Sequence, residues 1–189
     1  MKKFYVIEGL DFVGKTTQVQ LLSDYLGAFK IGTPHGSFKK IRWLFDKSHP
    51  VLKFLFYVMA NMQVSSIVKK ELILNDVVCD RYFLSTLAYH NALGVKVDAV
   101  DFRKLNIIFP KMVFYLILDS EKIYQERVGQ RSSLTREEGR IIRDQNFKKK
   151  IHDYYMNYSV TPIFTDNKNI EGVLNEILEH LHKNKSSFA

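Results

Sequence analysis

The run Gly9-Leu10-Asp11-Phe12-Val13-Gly14-Lys15-Thr16 comes one glutamate after the apolar stretch Phe4-Tyr5-Val6-Ile7 and opens a segment with helical spacing. A G-x-x-x-x-G-K-T turn set between a strand and a helix narrows the possible folds sharply. Its glycines let successive backbone N–H groups converge on phosphate oxygens, and the helix behind presents the positive end of its dipole. Lys15 adds an ammonium able to reach β- and γ-phosphates, and Thr16 a hydroxyl suited to Mg²⁺. The setting matches the motif on both sides. Residues 4–7 form an unbroken apolar run of the kind buried on both faces of a parallel sheet, while Val19, Leu22 and Leu26 recur at helical spacing before a Gly27 stop.

The rest of the 189 residues agrees with an α/β reading. Further apolar segments at 28–31, 77–79, 112–118 and 160–164 predict four more strands, each separated by enough chain for a crossover helix. Helices are predicted from about Pro50 to Asn75 with Ser48 as cap, over 85–92, 98–108 and 120–128, from a Thr135/Glu138 capping box to about Asn157, and over 170–181. The expectation is therefore a three-layer P-loop NTPase fold: a five-stranded parallel sheet with helices on both faces, forming one domain over 1–189.

Composition excludes several classes. A hydrophobic content of 46% with 25% charged residues rules out disordered and fibrous chains. The longest uninterrupted apolar run in mid-chain, 54–60, is far short of the roughly 20 residues a membrane span needs. The lone Cys79 sits in an apolar run as a buried thiol, and no signal peptide precedes the phosphate loop, so a cytoplasmic location is expected. The net charge of +8 invites a nucleic-acid reading, but more than a third of it lies in residues 127–143, where five arginines face two glutamates. Arginines clustered in this way suit bidentate contacts to polyphosphate, and the break between Arg131 and Thr135 reads as the hinge of a lid. A solvated helix face or a plain surface turn fits the same residues. Neither a nucleic-acid nor a membrane partner is expected.

Ligands of open parallel sheets bind beyond the carboxyl ends of the strands. There Asp80 offers a carboxylate to Mg²⁺ and Arg81 a clamp for a second phosphate. Asp11, inside the loop, would repel a triphosphate unless it faces another partner such as a sugar hydroxyl. Asp119 reads as a helix cap.

The stretch 4–11 followed by Gly14-Lys15-Thr16-Thr17-Gln18 closely resembles the opening of thymidylate kinases, and Asp80-Arg81-Tyr82 with Ser85 and Ala88-Tyr89 resembles their second signature. The resemblance extends over nearly the whole chain, through the 114–119 strand, the arginine-bearing lid and the closing helix. It implies transfer of the γ-phosphoryl of ATP to dTMP with Mg²⁺, in a homodimer. Carried over by position, Gly9, Leu10, Asp11, Phe12, Val13, Gly14, Lys15, Thr16 and Thr17 bind ATP, and Thr16 and Asp80 serve the metal. Asp11 meets the acceptor's 3′-hydroxyl, Arg81 its phosphate, and Thr86 and Tyr89 its base or sugar. Lys15, Arg81 and a lid arginine, Arg131 or Arg136, serve the transferring phosphoryl. With Phe12 and Val13 in the loop, the catalytic arginine comes from the lid, as in one subgroup of the family. A monophosphate acceptor is already ionised and needs no general base.

Two places depart from the family. Its usual Ala-Asn-Arg on the long helix is Ala60-Asn61-Met62 here, so the missing guanidinium is supplied elsewhere, by Arg42 or His90, or not at all. The stacking aromatic falls nearest Val58, with Phe56 and Tyr57 as substitutes; Phe56, Met59 and Met62 also read as a core stripe. Phe56 and Arg42 are carried forward as acceptor contacts. The open alternatives are a kinase for another nucleoside monophosphate or a deoxynucleoside, with Glu8 or Asp80 as base, and a regulatory NTPase using Asp119.

Overall fold

The computed structural model describes residues 1–130 and 134–186. Five strands, β1 (Phe4–Gly9), β2 (Phe29–Gly32), β3 (Val77–Asp80), β4 (Met112–Ile117) and β5 (Thr161–Phe164), form one sheet in the order β2-β3-β1-β4-β5. Every pairing is parallel, with Ile7 opposite Asp80 on one side and Phe114 on the other. β1 is buried along its whole length, as its apolar run predicts for a central strand. The chain places β2 and β3 on one side of β1 before crossing to β4 and β5, so the order switches at β1 and a crevice opens at its carboxyl end.

Eight helices are described: α1 (Lys15–Leu26), α2 (Gly36–Ile41), α3 (Pro50–Glu71), α4 (Phe83–Ala92), α5 (Glu121–Gly129), α6 (Arg136–Arg143), α7 (Gln145–Met156) and α8 (Ile170–Ser186). Local chemistry sets their ends. Left-handed Gly14 starts α1 and left-handed Gly27 stops it. α3 carries Pro50 in its first turn, but its cap is His49, whose Nδ1 accepts from Val51 N; Ser48 instead donates to the Phe45 carbonyl. The Thr135/Glu138 capping box opens α6 as expected.

Three further expectations change. The helix predicted from Thr135 to about Asn157 is two helices, because Asp144 is extended and its carboxylate caps α7 by accepting from Phe147 N. The helix predicted over 98–108 is two single turns of 3₁₀ helix, Val97–Ala99 and Phe102–Lys104. Its buried apolar residues Val97, Phe102 and Ile107 recur every five residues, a spacing that no α-helical face satisfies. Asp119 is not a cap: Ser120 Oγ accepts from Ile123 N, and the Asp166 carboxylate accepts from the backbone N–H groups of Asp119 and Ser120.

At 22 residues α3 is long and apolar enough to cross a membrane, which the uninterrupted run 54–60 did not reveal. Half of that stretch is buried in the fold, where Asn61 and Ser65 make polar contacts, so α3 is a core helix.

Candidate active site

Two cavities meet at the carboxyl end of the sheet. The first, about 570 Å³, is lined by Asp11, Phe12, Gly14, Lys15, Thr16 and Thr17 together with Asp80 and Arg127. The loop that frames it depends on its glycines. Gly9 has φ +149°, and a Cβ there would lie 2.7 Å from the Leu116 carbonyl oxygen and 2.9 Å from Val13. Leu10 and Val13 anchor the loop from below: their side chains are buried and line a separate, smaller cavity, so they contribute backbone to the loop and no side chain to the donor cavity.

Lys15 is buried, with Nζ donating to the Leu10 carbonyl. Burial and the neighbouring Arg81 guanidinium push its pKa down to about 8. Thr16 Oγ1 donates to Asp80 Oδ2 at 2.9 Å, which brings together the two residues expected at a metal. A hydroxyl and one carboxylate suit Mg²⁺, which keeps waters and substrate phosphate oxygens as its other ligands rather than filling an all-protein cage. Among the described residues no group of three or more His, Cys, Asp or Glu side chains is arranged to hold a metal by itself. Asp119 lines the smaller cavity behind the loop and not the donor cavity that holds this pair.

The second cavity, about 450 Å³, extends from the same junction between α3 and α4. Asp11, Thr33, Arg42 and Arg81 line both cavities. At the junction Arg81 NH2 donates to Asp11 Oδ1 at 2.5 Å, and the Tyr89 hydroxyl donates to Asp11 Oδ2 at 3.2 Å. Burial alone would raise the Asp11 pKa. Arg81 and Lys15, with the hydrogen bonds from Arg81 and Tyr89, outweigh it and hold the carboxyl below its usual range. Arg81 is also 5.2 Å from the Tyr89 ring centroid and donates to Ser85 Oγ at 3.2 Å, so its guanidinium is braced on three sides.

The backbone that aims Arg81 is strained, with φ +62°, and Glu8 supports it. Fully buried, Glu8 accepts from Tyr82 N at 2.9 Å and Ser85 N at 3.3 Å on one oxygen, and from the Ser85 and Tyr155 hydroxyls on the other. Burial nonetheless raises its pKa. Four donors occupy Glu8, which leaves it unsuited to act as a base on an acceptor hydroxyl.

Of the other residues expected from sequence, Thr86, Tyr89 and Arg42 line the second cavity. Phe56 does not. It is buried in the core, stacked on Phe45 at 4.3 Å and tilted against Phe38, because α3 turns Tyr57 rather than Phe56 toward the cavity. The proposed core stripe also divides, since Met59 and Met62 are exposed. Arg131 lies outside the described residues, and only the backbone of Arg136 is described, at the first position of α6. From the arginine-rich segment 127–143, Arg127 lines the donor cavity alongside Arg42 and Arg81, and it donates to the Phe12 carbonyl at 3.1 Å. Tyr57 and His90, named from sequence as substitutes for the missing acceptor contacts, line the second cavity, and Lys53, which sequence reasoning did not single out, lines it as well.

The thymidylate kinase family model matches residues 7–177. The chain belongs to the thymidylate kinase family. It is therefore a phosphotransferase, an ATP-dependent nucleoside monophosphate kinase. A probable thymidylate kinase of Methanocaldococcus jannaschii is 33% identical over 187 residues, covering 94% of this chain and 95% of that one. A thymidylate kinase of Prochlorococcus marinus is 30% identical, with 98% of each chain covered. Among solved structures, Candida albicans thymidylate kinase superposes with a TM-score of 0.75 at 21% identity, covering 97% of this chain and 92% of that one, which speaks for the fold.

Proposed function

We propose that the protein transfers the γ-phosphoryl of ATP to dTMP, giving dTDP and ADP. The observation that carries this reading is the Arg81–Asp11 pair at the junction of two cavities, one of them framed by the phosphate loop. The loop backbone and Lys15 hold the donor phosphates, and Arg81 orients the acceptor phosphate in line with them. Asp11 accepts from the acceptor's sugar hydroxyl while keeping Arg81 aimed. Phosphoryl transfer through a loose transition state needs positioning and neutralisation of oxygens, not covalent participation by the protein. A lid arginine completes that neutralisation, with Arg127 at the root of the lid supporting the loop.

Thr16 and Asp80 are the residues that would hold Mg²⁺. Held there, it would supply positive charge to offset that of the donor phosphate oxygens. The acceptor oxygen is ionised near neutral pH, so no side chain removes a proton from it.

The active form is a homodimer. Leu52, Leu55, Met59 and Met62 make an exposed apolar stripe along α3 that a second copy would cover. Leu55→Asp should shift the protein to monomer in analytical ultracentrifugation; a monomeric wild type would remove the dimer. For the reaction, the protein is incubated with ATP, Mg²⁺ and a panel of nucleoside monophosphates and free nucleosides, and the products are separated by chromatography. dTDP from dTMP is expected. Formation of dTMP from thymidine, or no dTDP, would overturn the reading.

A further inference from the structure

Position 62, where an arginine was expected, points outward: Met62 is 39% exposed. One residue earlier, Asn61 turns inward and is fully buried. Its Nδ2 donates to the Tyr57 carbonyl at 2.7 Å and to Thr86 Oγ1 at 2.8 Å. A carbonyl only accepts, so the atom beside Tyr57 is the amide nitrogen, and both its protons are committed. Thr86 is thus an acceptor toward α3, which leaves its own hydroxyl proton for the cavity that it lines.

That hydroxyl sits in the part of the cavity away from the phosphates. Arg81 is shared with the donor cavity, whereas Thr86, His90 and Leu93, further along α4, line only the acceptor cavity. A nucleotide with its phosphate at Arg81 places its base beside Thr86. In a pyrimidine, C2 flanks the glycosidic nitrogen and C4 lies across the ring, so the group reaching the far wall is the one on C4. Thymine and uracil carry a carbonyl there, an acceptor. Cytosine carries an amino group, a donor.

We propose that Asn61 is a positioning residue that selects the acceptor base: by fixing Thr86 as a donor toward the cavity, it favours 4-keto pyrimidines over cytosine. This rests on the acceptor site described under the proposed function. Asn61 touches no substrate; it sets the direction of the hydrogen bond that Thr86 makes. A buried donor facing a donor is worth roughly 10- to 100-fold against the mismatched base.

The test is Asn61→Asp, assayed with dTMP, dUMP and dCMP under saturating ATP. The new carboxyl group brings at most one proton where the amide brought two. The Tyr57 carbonyl takes it, so Thr86 must donate toward α3 and turn its lone pairs to the cavity. The ratio of kcat/KM for dTMP to that for dCMP should fall at least roughly tenfold. The KM for dTMP should rise, that for dCMP should drop, and the KM for ATP should hold. Equal losses on both acceptors, or no change, would show a merely structural role and overturn the proposal. If circular dichroism shows that this variant does not fold, Thr86→Val removes the hydroxyl while keeping its shape. The same ratio should then fall, and an unchanged ratio overturns the proposal. A wild type that makes no dTDP overturns the proposed function itself, and that result is read before any variant is assayed.

Discussion

The donor and acceptor cavities share Arg81 and Asp11 but are built from different materials. The donor cavity is framed by one continuous loop, whose backbone is shaped by Gly9 and Gly14 and whose side chains, Lys15 and Thr16, follow in sequence, with residues after β2, at the end of β3 and on α5 completing its walls. The acceptor cavity is assembled from side chains on separate elements that do not line the donor cavity: Lys53 and Tyr57 from α3, Thr86, Tyr89 and His90 from α4, Glu138 from α6. A backbone cradle tolerates variation in side chains and demands glycine at a few fixed places. A side-chain pocket depends on helical register, where one residue decides whether a group faces the ligand or the core.

The largest effect should come from breaking the donor half. Lys15→Ala removes the ammonium aimed at the β- and γ-phosphates and should lower kcat by roughly 10³-fold or more, with the fold intact by circular dichroism. Full activity would remove the loop from the mechanism. Arg81→Ala should instead fall on the acceptor half. The kcat/KM for dTMP should drop by about 10²-fold or more through a raised KM, while the KM for ATP stays near wild type. Equal changes in both constants would mean that the cavities do not act as separate halves.

The same contrast explains what the sequence made legible. The loop, the five strands and the Asp80-Arg81 pair were readable because each is local: a strand's apolar run and a turn's glycines carry their own explanation. Phe56 was misplaced because period and composition do not fix rotation. Phe56, Tyr57 and Val58 are consecutive aromatic or apolar residues, and only packing against Phe38 and Phe45 turns Tyr57 to the cavity. Asn61 and Glu8 were legible as residues but not as contacts, because their partners lie 25 residues away at Thr86 and 77 away at Ser85. The break at Asp144 was hidden by a helical pattern that continues on both sides of it.

A pH profile sharpens the donor half further. Free enzyme with Lys15 at about 8 loses the ammonium above that pH, whereas bound triphosphate would restore it. The kcat/KM for ATP should therefore fall about tenfold per unit above pH 8, with kcat at saturating ATP holding to higher pH. Lys15→Arg, which does not titrate in this range, should lack the falling limb whatever its rate.

Glu8 tests whether the two halves are independent at all. It lies at the end of β1, one residue before the loop, and its carboxylate holds the backbone that follows Arg81 while accepting from Tyr155 of α7. Glu8→Gln keeps the acceptor oxygen for Tyr82 N and Ser85 N and turns an amide toward two hydroxyls that can rotate to accept. The loss of stability should be only about 1–2 kcal/mol, seen as a lowered Tm. Because burial raises the folded pKa of Glu8, the stability linked to its protonation is fully present below its unfolded value near 4.5 and is lost as pH rises through the folded value. The wild type should therefore lose more stability than Glu8→Gln when the pH is raised across that window. In kinetics the variant should raise the KM for dTMP several-fold and leave that for ATP alone, since its bonds run to the Arg81 side. If the KM for ATP rises equally, the carboxylate supports loop and clamp together, and the donor cradle is less self-contained than its continuous sequence implies.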